Sequence, residues 1–154
     1  MSLTADLIAR IEAEVSALAS RTRGAADLSE LVATKQWPQS PAAAFVLPLG
    51  LRARDEGEAA TGYFLQMLDE AFAIVLVVRA QGDATGARAV PRIDELVSAL
   101  VAAIAGWGPD DAGSGPGAVG GVFRVSAGNL LSAEGGMVLY QLDFVLQTQV
   151  RNLQ

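Results

Sequence analysis

Few side chains in this chain are equipped for catalysis, and most of them are carboxylates. The 154 residues include no histidine and no cysteine, which excludes His-dependent triads, cysteine nucleophiles and ordinary zinc sites. The one lysine, Lys35, lies in a loop-like context, where a Schiff-base or Ser–Lys role is the alternative to a plain loop residue. What remains is a carboxylate-based enzyme or a cation site with oxygen ligands, built from Asp83, Asp110 and Asp111.

These carboxylates lie in segments that have a simpler interpretation. Residues 81–87 read as a turn, in which Asp83 can bond backbone groups two residues on. Residues 110–121 are Gly-rich and formally contain G-x-G-x-x-G, but the motif follows a loop, includes Pro116 and opens a strand rather than a helix. We therefore predict no catalytic residues, no cofactor and no metal ligands, and not an enzyme.

The composition indicates a folded protein that associates with itself. Apolar residues make up 51% of the chain and charged residues 18%, so a small globule must expose apolar patches or cover them with a partner. A net charge of −6 argues against recognition of nucleic acid. No segment has the 18 or more apolar residues of a membrane span. The absence of cysteine is compatible with the cytosol.

The elements that position these groups are organised around one stretch, Gly62 to Arg79. Its second half, Ala71 to Val78, is eight apolar residues in a row, which predicts a strand buried on both faces. Its first half mixes apolar and polar residues, as a more exposed strand does. The adjacent acids Asp69 and Glu70 suggest a bulge or turn, so the stretch is one long bent strand or a tight strand pair.

Two segments near the N-terminus have helical periodicity. Residues 4–19 carry apolar side chains on one face, with Thr4 as the predicted N-cap and residues 21–24 as the stop. A short helix is predicted over residues 28–34, with capping-box spacing at Asp27 and Glu30.

The clearest helix covers Arg88 to Ala105, where apolar residues keep a three-four spacing until Gly106. Its apolar stripe should pack on Ala71 to Val78, and Trp107 should fold back over its end.

A strand is predicted at Ala42 to Leu49. Because Pro48 has no N–H for a ladder, this strand lies at an edge or ends there. Gly50 to Thr61 then reads as a charged loop of about a dozen residues, a length that is usually functional or disordered. Within it, Arg52 and Arg54 are followed at once by acids, which indicates a solvated segment.

The chain closes with a predicted hairpin, in which Val122 to Leu131 pairs with Met137 to Val150. Even-numbered apolar residues of the last strand alternate with Gln141, Asp143, Gln147 and Gln149. This strand spans roughly 46 Å, against a diameter of about 39 Å for a compact globule of this length. The hairpin therefore reaches past the body or is bent by a bulge near Gly128-Asn129, and its margin suits a neighbouring subunit.

Together these elements predict one α/β (α+β) domain over residues 1–154. It has a mixed, mostly antiparallel sheet, two main helices packed on that sheet, and a long C-terminal β-hairpin.

The order and spacing of several short motifs resemble the tail terminator proteins of long-tailed bacteriophages and of phage-like gene transfer agents. The resemblance covers roughly residues 37–150. The motifs are Ala44-Phe45-Val46-Leu47-Pro48, Gln66 before Phe72-Ala73-Ile74-Val75-Leu76-Val77, Asp83-x-x-Gly86, Gly106-Trp107-x-Pro109 and Asp143-Phe144-x-Leu146-x-Thr148.

This resemblance implies a structural virion protein without catalytic residues. Its members are expected to form a hexameric ring that docks on the last ring of the tail tube, stops its growth and meets the head–neck connector. It implies a place in the virion, at the head-proximal end of the tail, after synthesis in the bacterial host cytoplasm. By analogy, residues 50–61 and 110–121 are assembly loops or plain linkers.

Three alternatives remain beside the tail terminator. One is another neck or head-completion protein. A second is a small oligomeric ligand-binding module or carboxylate enzyme that uses the three aspartates named above. A third is an oligomer of the host without any phage role.

Overall fold

A computed structural model describes residues 3–34, 41–60, 62–79, 89–109, 121–134 and 136–153. These ranges contain three α-helices, a 3-10 turn and six strands. In chain order they are α1 (Leu3–Glu14), the 3-10 turn (Ser16–Leu18), β1 (Thr22–Gly24), α2 (Ala25–Thr34), β2 (Ala42–Ala53), β3 (Glu58–Ala60), β4 (Tyr63–Arg79), α3 (Ala89–Ile104), β5 (Phe123–Glu134) and β6 (Met137–Leu153).

The six strands form one mixed sheet. Its order is β1-β2-β4-β6-β5, and β3 pairs with the start of β4. β1 runs parallel to β2, and every other pair is antiparallel. The predicted α+β class and the mostly antiparallel sheet are therefore confirmed. No helix in the described residues is both long enough and apolar enough to cross a membrane.

The stretch at the centre of the sequence is also at the centre of the sheet. β4 is one strand of 17 residues and pairs with β6 along its whole length, from Tyr63 opposite Leu153 to Arg79 opposite Met137. The bulge predicted at Asp69 and Glu70 is wrong, because that ladder has no register shift. As neighbours on a strand the two acids point to opposite faces, so each finds its own surroundings without a bulge.

Both faces of the central strands are covered where the sequence predicted it. On one face, α1 and α3 pack over Ile74, Leu76 and Val78 in the main core. On the other face, Leu28 and Leu31 of α2 pack against a smaller cluster that consists of Ala43, Phe45, Val75 and Val77. The predicted burial of the strand on both faces is confirmed.

The first predicted helix is shorter than its periodicity indicates. α1 ends at Glu14, and Val15 takes an extended conformation before the 3-10 turn. This break lets both Val15 and Leu18 enter the core while the chain turns at Ser20, whose φ is +62°. Thr4 lies inside α1 and is not its cap, because the helix begins at Leu3.

Residues 21–24, predicted to stop a helix, contain the strand β1. Thr22 pairs with Ala44, and its buried hydroxyl donates to the Leu18 carbonyl at 3.0 Å. Three residues are too few to show strand alternation, so the pattern could not reveal them. Because α2 begins at Ala25, Asp27 lies in its first turn, and the predicted capping box is wrong.

The long charged loop predicted at residues 50–61 is the largest error. β2 continues through Pro48 to Ala53, and β3 pairs with β4 from Glu58 onward. The β2–β4 ladder shifts register between Pro48 and Gly50, and this bulge accommodates the proline without ending the strand. The edge interpretation of Pro48 is the correct one, since β1 pairs only with Ala44–Val46.

The helix α3 and its end agree with the prediction, although Arg88 lies outside the described residues. Gly106 has a φ of +82°, and Trp107 folds back to stack on Phe123 with ring centroids 5.9 Å apart. Arg10 of α1 lies 5.2 Å from the Trp107 ring centroid, and its Nε donates to the Ala103 carbonyl at 2.9 Å. This arginine therefore joins the two helices on one face.

The closing hairpin is longer than predicted and contains two irregularities in its ladder. Register shifts lie between Val125 and Ala127 and between Leu130 and Ser132. The predicted bulge near Gly128-Asn129 is thus replaced by two bulges that flank it. The predicted facing of β6 is confirmed, because its buried residues are Val138, Leu142, Phe144 and Leu146.

Candidate assembly surface

The residues singled out for chemistry lie where the structure gives no account of them. Lys35, Asp83, Asp110 and Asp111 fall outside the described residues, together with the turn predicted at residues 81–87. Within the described ranges, no group of three or more His, Cys, Asp or Glu side chains is placed to hold a metal ion. The features that the described residues do present are surfaces.

One of these surfaces is a part of the sheet that we call the extension. It consists of residues 50–53 of β2, all of β3, residues 63–70 of β4 and residues 147–153 of β6. None of its described side chains is buried, whereas the core begins with Phe72 and Leu146 immediately beside it. The extension is therefore a thin sheet whose two faces both reach solvent.

An ion-pair cluster ties the extension to its neighbours on one face. The Asp69 carboxylate lies 3.5 Å from Arg54 Nε and 3.7 Å from Arg124 Nη2. Arg54 Nη1 also donates to Gln147 Oε1 at 2.7 Å. The cluster thus connects Arg54, which follows β2, with the edge strand β5 through Asp69 and with β6 through Gln147. Because its arginine partners are about half exposed, each pair contributes little to stability, roughly 0–1 kcal/mol.

The turn between β2 and β3 is held by its own side chains. Asp55 Oδ1 accepts hydrogen bonds from the Gly57 N–H at 2.9 Å and from the Met67 N–H at 3.4 Å. Gln66 Nε2 donates to the Asp55 carbonyl at 3.0 Å. A Cβ at Gly57, whose φ is +84°, would lie 2.6 Å from the Phe64 ring, so this turn requires glycine. Residues 54–57 are an ordered turn and not part of a long loop.

Glu70 lies on the opposite face of the extension from Asp69. In the ladders it is directly opposite Leu51 on one side and Leu146 on the other, and residues opposite each other share a face of the sheet. Partial burial raises the pKa of the Glu70 carboxyl above its ordinary value of 4.5. No salt bridge to Glu70 occurs among the described residues.

Exposed aliphatic side chains concentrate along two sheet edges. On β2, beyond the short partner β1, Leu49 and Leu51 are 52% and 64% exposed. On β5, the last strand in the sheet order, the exposed aliphatics are Val125, Leu130 and Leu131. In the part of the chain that the structure describes, no strand pairs with the outer side of β5 or with the β1 side of β2 after Val46.

Part of this surface was predicted from the sequence. Arg52 and Arg54 and the margin of the last hairpin were singled out, but the arginines were predicted to be solvated loop residues. Asp69 was missed as the partner of Arg54, since the two are brought together only by the register of β2 on β4. The alternation of Leu47, Leu49 and Leu51 was an available strand signal, and Pro48 and Gly50 obscured it.

Comparison with known proteins gives the family. Residues 2–154 match the model of the phage tail terminator protein family. No curated protein matches the chain. Because the family match spans essentially the whole chain, the protein belongs to the phage tail terminator family, a family of structural proteins of the phage tail.

Proposed function

We propose that the protein caps the head-proximal end of the tail tube, stops its polymerisation and forms the interface to the head–neck connector. The observation that carries this proposal is the family match over residues 2–154. In this proposal residues 1–154 act as one domain with a structural and not an enzymatic role. The protein is made in the bacterial host cytoplasm and ends in the virion.

The working form in this proposal is a homo-oligomeric ring, a hexamer. Two observations support association. The extension has no buried side chain among its described residues, and open strand edges with exposed leucines lie on both margins of the sheet. Large exposed apolar patches of this kind mark interaction sites in small soluble proteins. The partners are further copies of the chain, the tail tube protein and the connector protein.

Sequence-specific contacts with nucleic acid have no place in this proposal. The net charge is −6, and the arginines of the ion-pair cluster, Arg54 and Arg124, are both engaged by Asp69. A protein that binds the phosphate backbone needs a basic face.

Deletion of the gene tests the proposal. Electron microscopy of the lysate should show overlong tails without heads, and the wild-type gene supplied in trans should restore tails of normal length joined to heads. Tails of normal length that lack heads would point to a neck or head-completion protein. Tails of normal length joined to heads would contradict both the tail terminator and the neck-protein hypotheses.

A further inference from the structure

The two open edges of the sheet suggest how one subunit meets the next. Among the described residues neither edge has a strand partner on its outer side, and an open edge is a template for pairing with another strand. Pro48, which has no N–H, is the one residue of the β2 edge that cannot donate. We propose that the outer edge of β5 in one subunit pairs with the β2 edge, Leu47–Ala53, of a second copy of this chain. The inference deepens the proposed ring and rests on it.

The β5 edge lacks most of the devices that keep edges from pairing. Between Arg124 and Glu134 the nine residues are uncharged and include neither lysine nor proline. Phe123 exchanges backbone hydrogen bonds with Gly106 and Trp107, both at 2.8 Å, so the open part of the edge begins after it. That open part is roughly 36 Å long. Among the described residues, its protection consists of the two bulges and of the charges of Arg124 and Glu134 at its ends.

The β2 edge is the matching surface on the other margin. Leu47 to Leu51 carry no charge, and Leu49 and Leu51 are more than half exposed. This edge is roughly 23 Å long, so it fits within the open length of β5. Pairing would place Leu49 and Leu51 beside Val125, Leu130 or Leu131 and would remove both aliphatic rows from water.

The two edges differ from each other, and this decides the kind of assembly. A contact between unlike surfaces is heterologous, and its repetition generates a ring when the rotation closes. A contact of β5 with a second β5 would be isologous and would end at a dimer. A ring therefore requires that the β5 edge of one copy binds the β2 edge of the next copy.

Lysine substitutions at each edge provide the first test. Leu130→Lys and Leu49→Lys place a charge on β5 and β2 respectively, and Val32→Lys, on a helix residue that is 57% exposed, is the matched control. Assembly is followed by native mass spectrometry of the free protein and by electron microscopy of purified tail tubes. Each edge variant should require at least about tenfold more protein for half-assembly. The control should assemble like the wild type, and all three should keep the wild-type circular dichroism.

Cross-linking provides the second test and does not depend on loss of assembly. The chain has no cysteine, so introduced thiols react alone. With a flexible bis-maleimide, assembled protein that carries both Leu49→Cys and Leu130→Cys should give a ladder of cross-linked multimers. Either substitution alone should give monomers.

The outcomes separate the inference from the proposed function. Dimers from Leu130→Cys alone would show β5–β5 pairing and overturn the inference, as would the absence of a ladder in an assembled ring. Lysine variants that still form rings but no longer cap tubes would show that these edges meet the tube protein instead. Wild-type protein that assembles neither free nor on tubes would refute the ring itself.

Discussion

The two halves of β4 have opposite surroundings within one continuous strand. From Phe72 to Val78 every residue is buried, under α1 and α3 on one face and α2 on the other. From Tyr63 to Glu70 no residue is buried, and none belongs to either core cluster. The two halves are paired with β6 by the same uninterrupted ladder. Pairing with β6 is thus equal in the two regions, and what distinguishes them is burial.

This difference assigns separate tasks to the two halves. Hydrophobic burial supplies most of the free energy of folding, at about 25 cal/mol per Å² of apolar surface, so stability comes mainly from the part of the sheet that the helices cover. The extension contributes ladder hydrogen bonds and weak ion pairs, and its apolar side chains remain available to partners. A single strand therefore carries the core at one end and presents a surface at the other.

A proline in each region should give the largest contrast. Val75→Pro removes a ladder bond from a strand that is paired on both sides and sits in both clusters. It should prevent stable folding, because a proline removes a ladder hydrogen bond and is not accommodated in the middle of a sheet, between two paired strands. Ala59→Pro, in the exposed edge strand β3, should leave the circular dichroism spectrum unchanged. A folded Val75→Pro variant would contradict the division of β4 into a half that stabilises the fold and a half that does not.

Truncation of a leucine should lower the free energy of unfolding in the buried region and leave it nearly unchanged in the extension. Leu76→Ala, at a fully buried position, should lower the free energy of unfolding by about 2–5 kcal/mol. Leu51→Ala, at a position 64% exposed, should change it by less than about 0.5 kcal/mol. Denaturant titration measures both, and similar values for the two variants would contradict the division.

Removal of the charge on Asp69 should have a smaller effect. Asp69→Asn loses the attraction to Arg54 and Arg124 and should cost less than about 1 kcal/mol, a difference that shrinks in high salt. Among the described residues Arg52 has no salt bridge, so Arg52→Glu should leave stability unchanged. Arg54→Glu should lower stability slightly, and both reversals should impair assembly. A cost that persists in high salt would mean that Asp69 supports the fold through more than charge.

Neutralisation of Glu70 should change the free energy of unfolding least. Unlike the other substitutions, it should raise that free energy. Burial raises the pKa of Glu70 in the folded state, so the folded protein holds its proton more tightly than the unfolded chain. Stability from this group is present at low pH and is lost as the pH rises through the folded pKa. Glu70→Gln should therefore be more stable than wild type at pH 7, by less than about 1 kcal/mol.

The control for Glu70 is the pH profile of the same pair of proteins. The advantage of Glu70→Gln should vanish below about pH 4, where the wild-type carboxyl is protonated as well. A constant difference across that range would show that shape, and not charge, separates the two proteins.

Periodicity predicted the helix-covered part of the sheet well because burial of one face produces a regular spacing of apolar residues in the sequence. The apolar run of β4, the three-four spacing of α3 and the alternation of β6 each reported a covered face. β1 was missed because three residues show no period. The break in the first helix was missed because Val15 keeps the apolar pattern while its backbone leaves the helix.

The extension was predicted poorly for the complementary reason. Its residues are mixed in polarity, so no pattern distinguishes a half-exposed strand from a charged loop. Pro48 and Gly50 are ordinary loop signals, and only the partner strand β4 shows that they form a bulge. The Arg54–Asp69 pair depends on the same register. Surfaces built from long-range pairing leave little trace in local sequence.

Hydrogen–deuterium exchange of the free protein and of the protein bound to tail tubes tests the central claim most directly. In the free protein, amides of Phe72–Val78 and α3 should be strongly protected, and those of β3 and Tyr63–Glu70 should exchange fast. On tubes, new protection should fall on the extension and on the edges of β2 and β5. Equal protection of both halves of β4 in the free protein, or new protection confined to α1 and α3, would contradict the account.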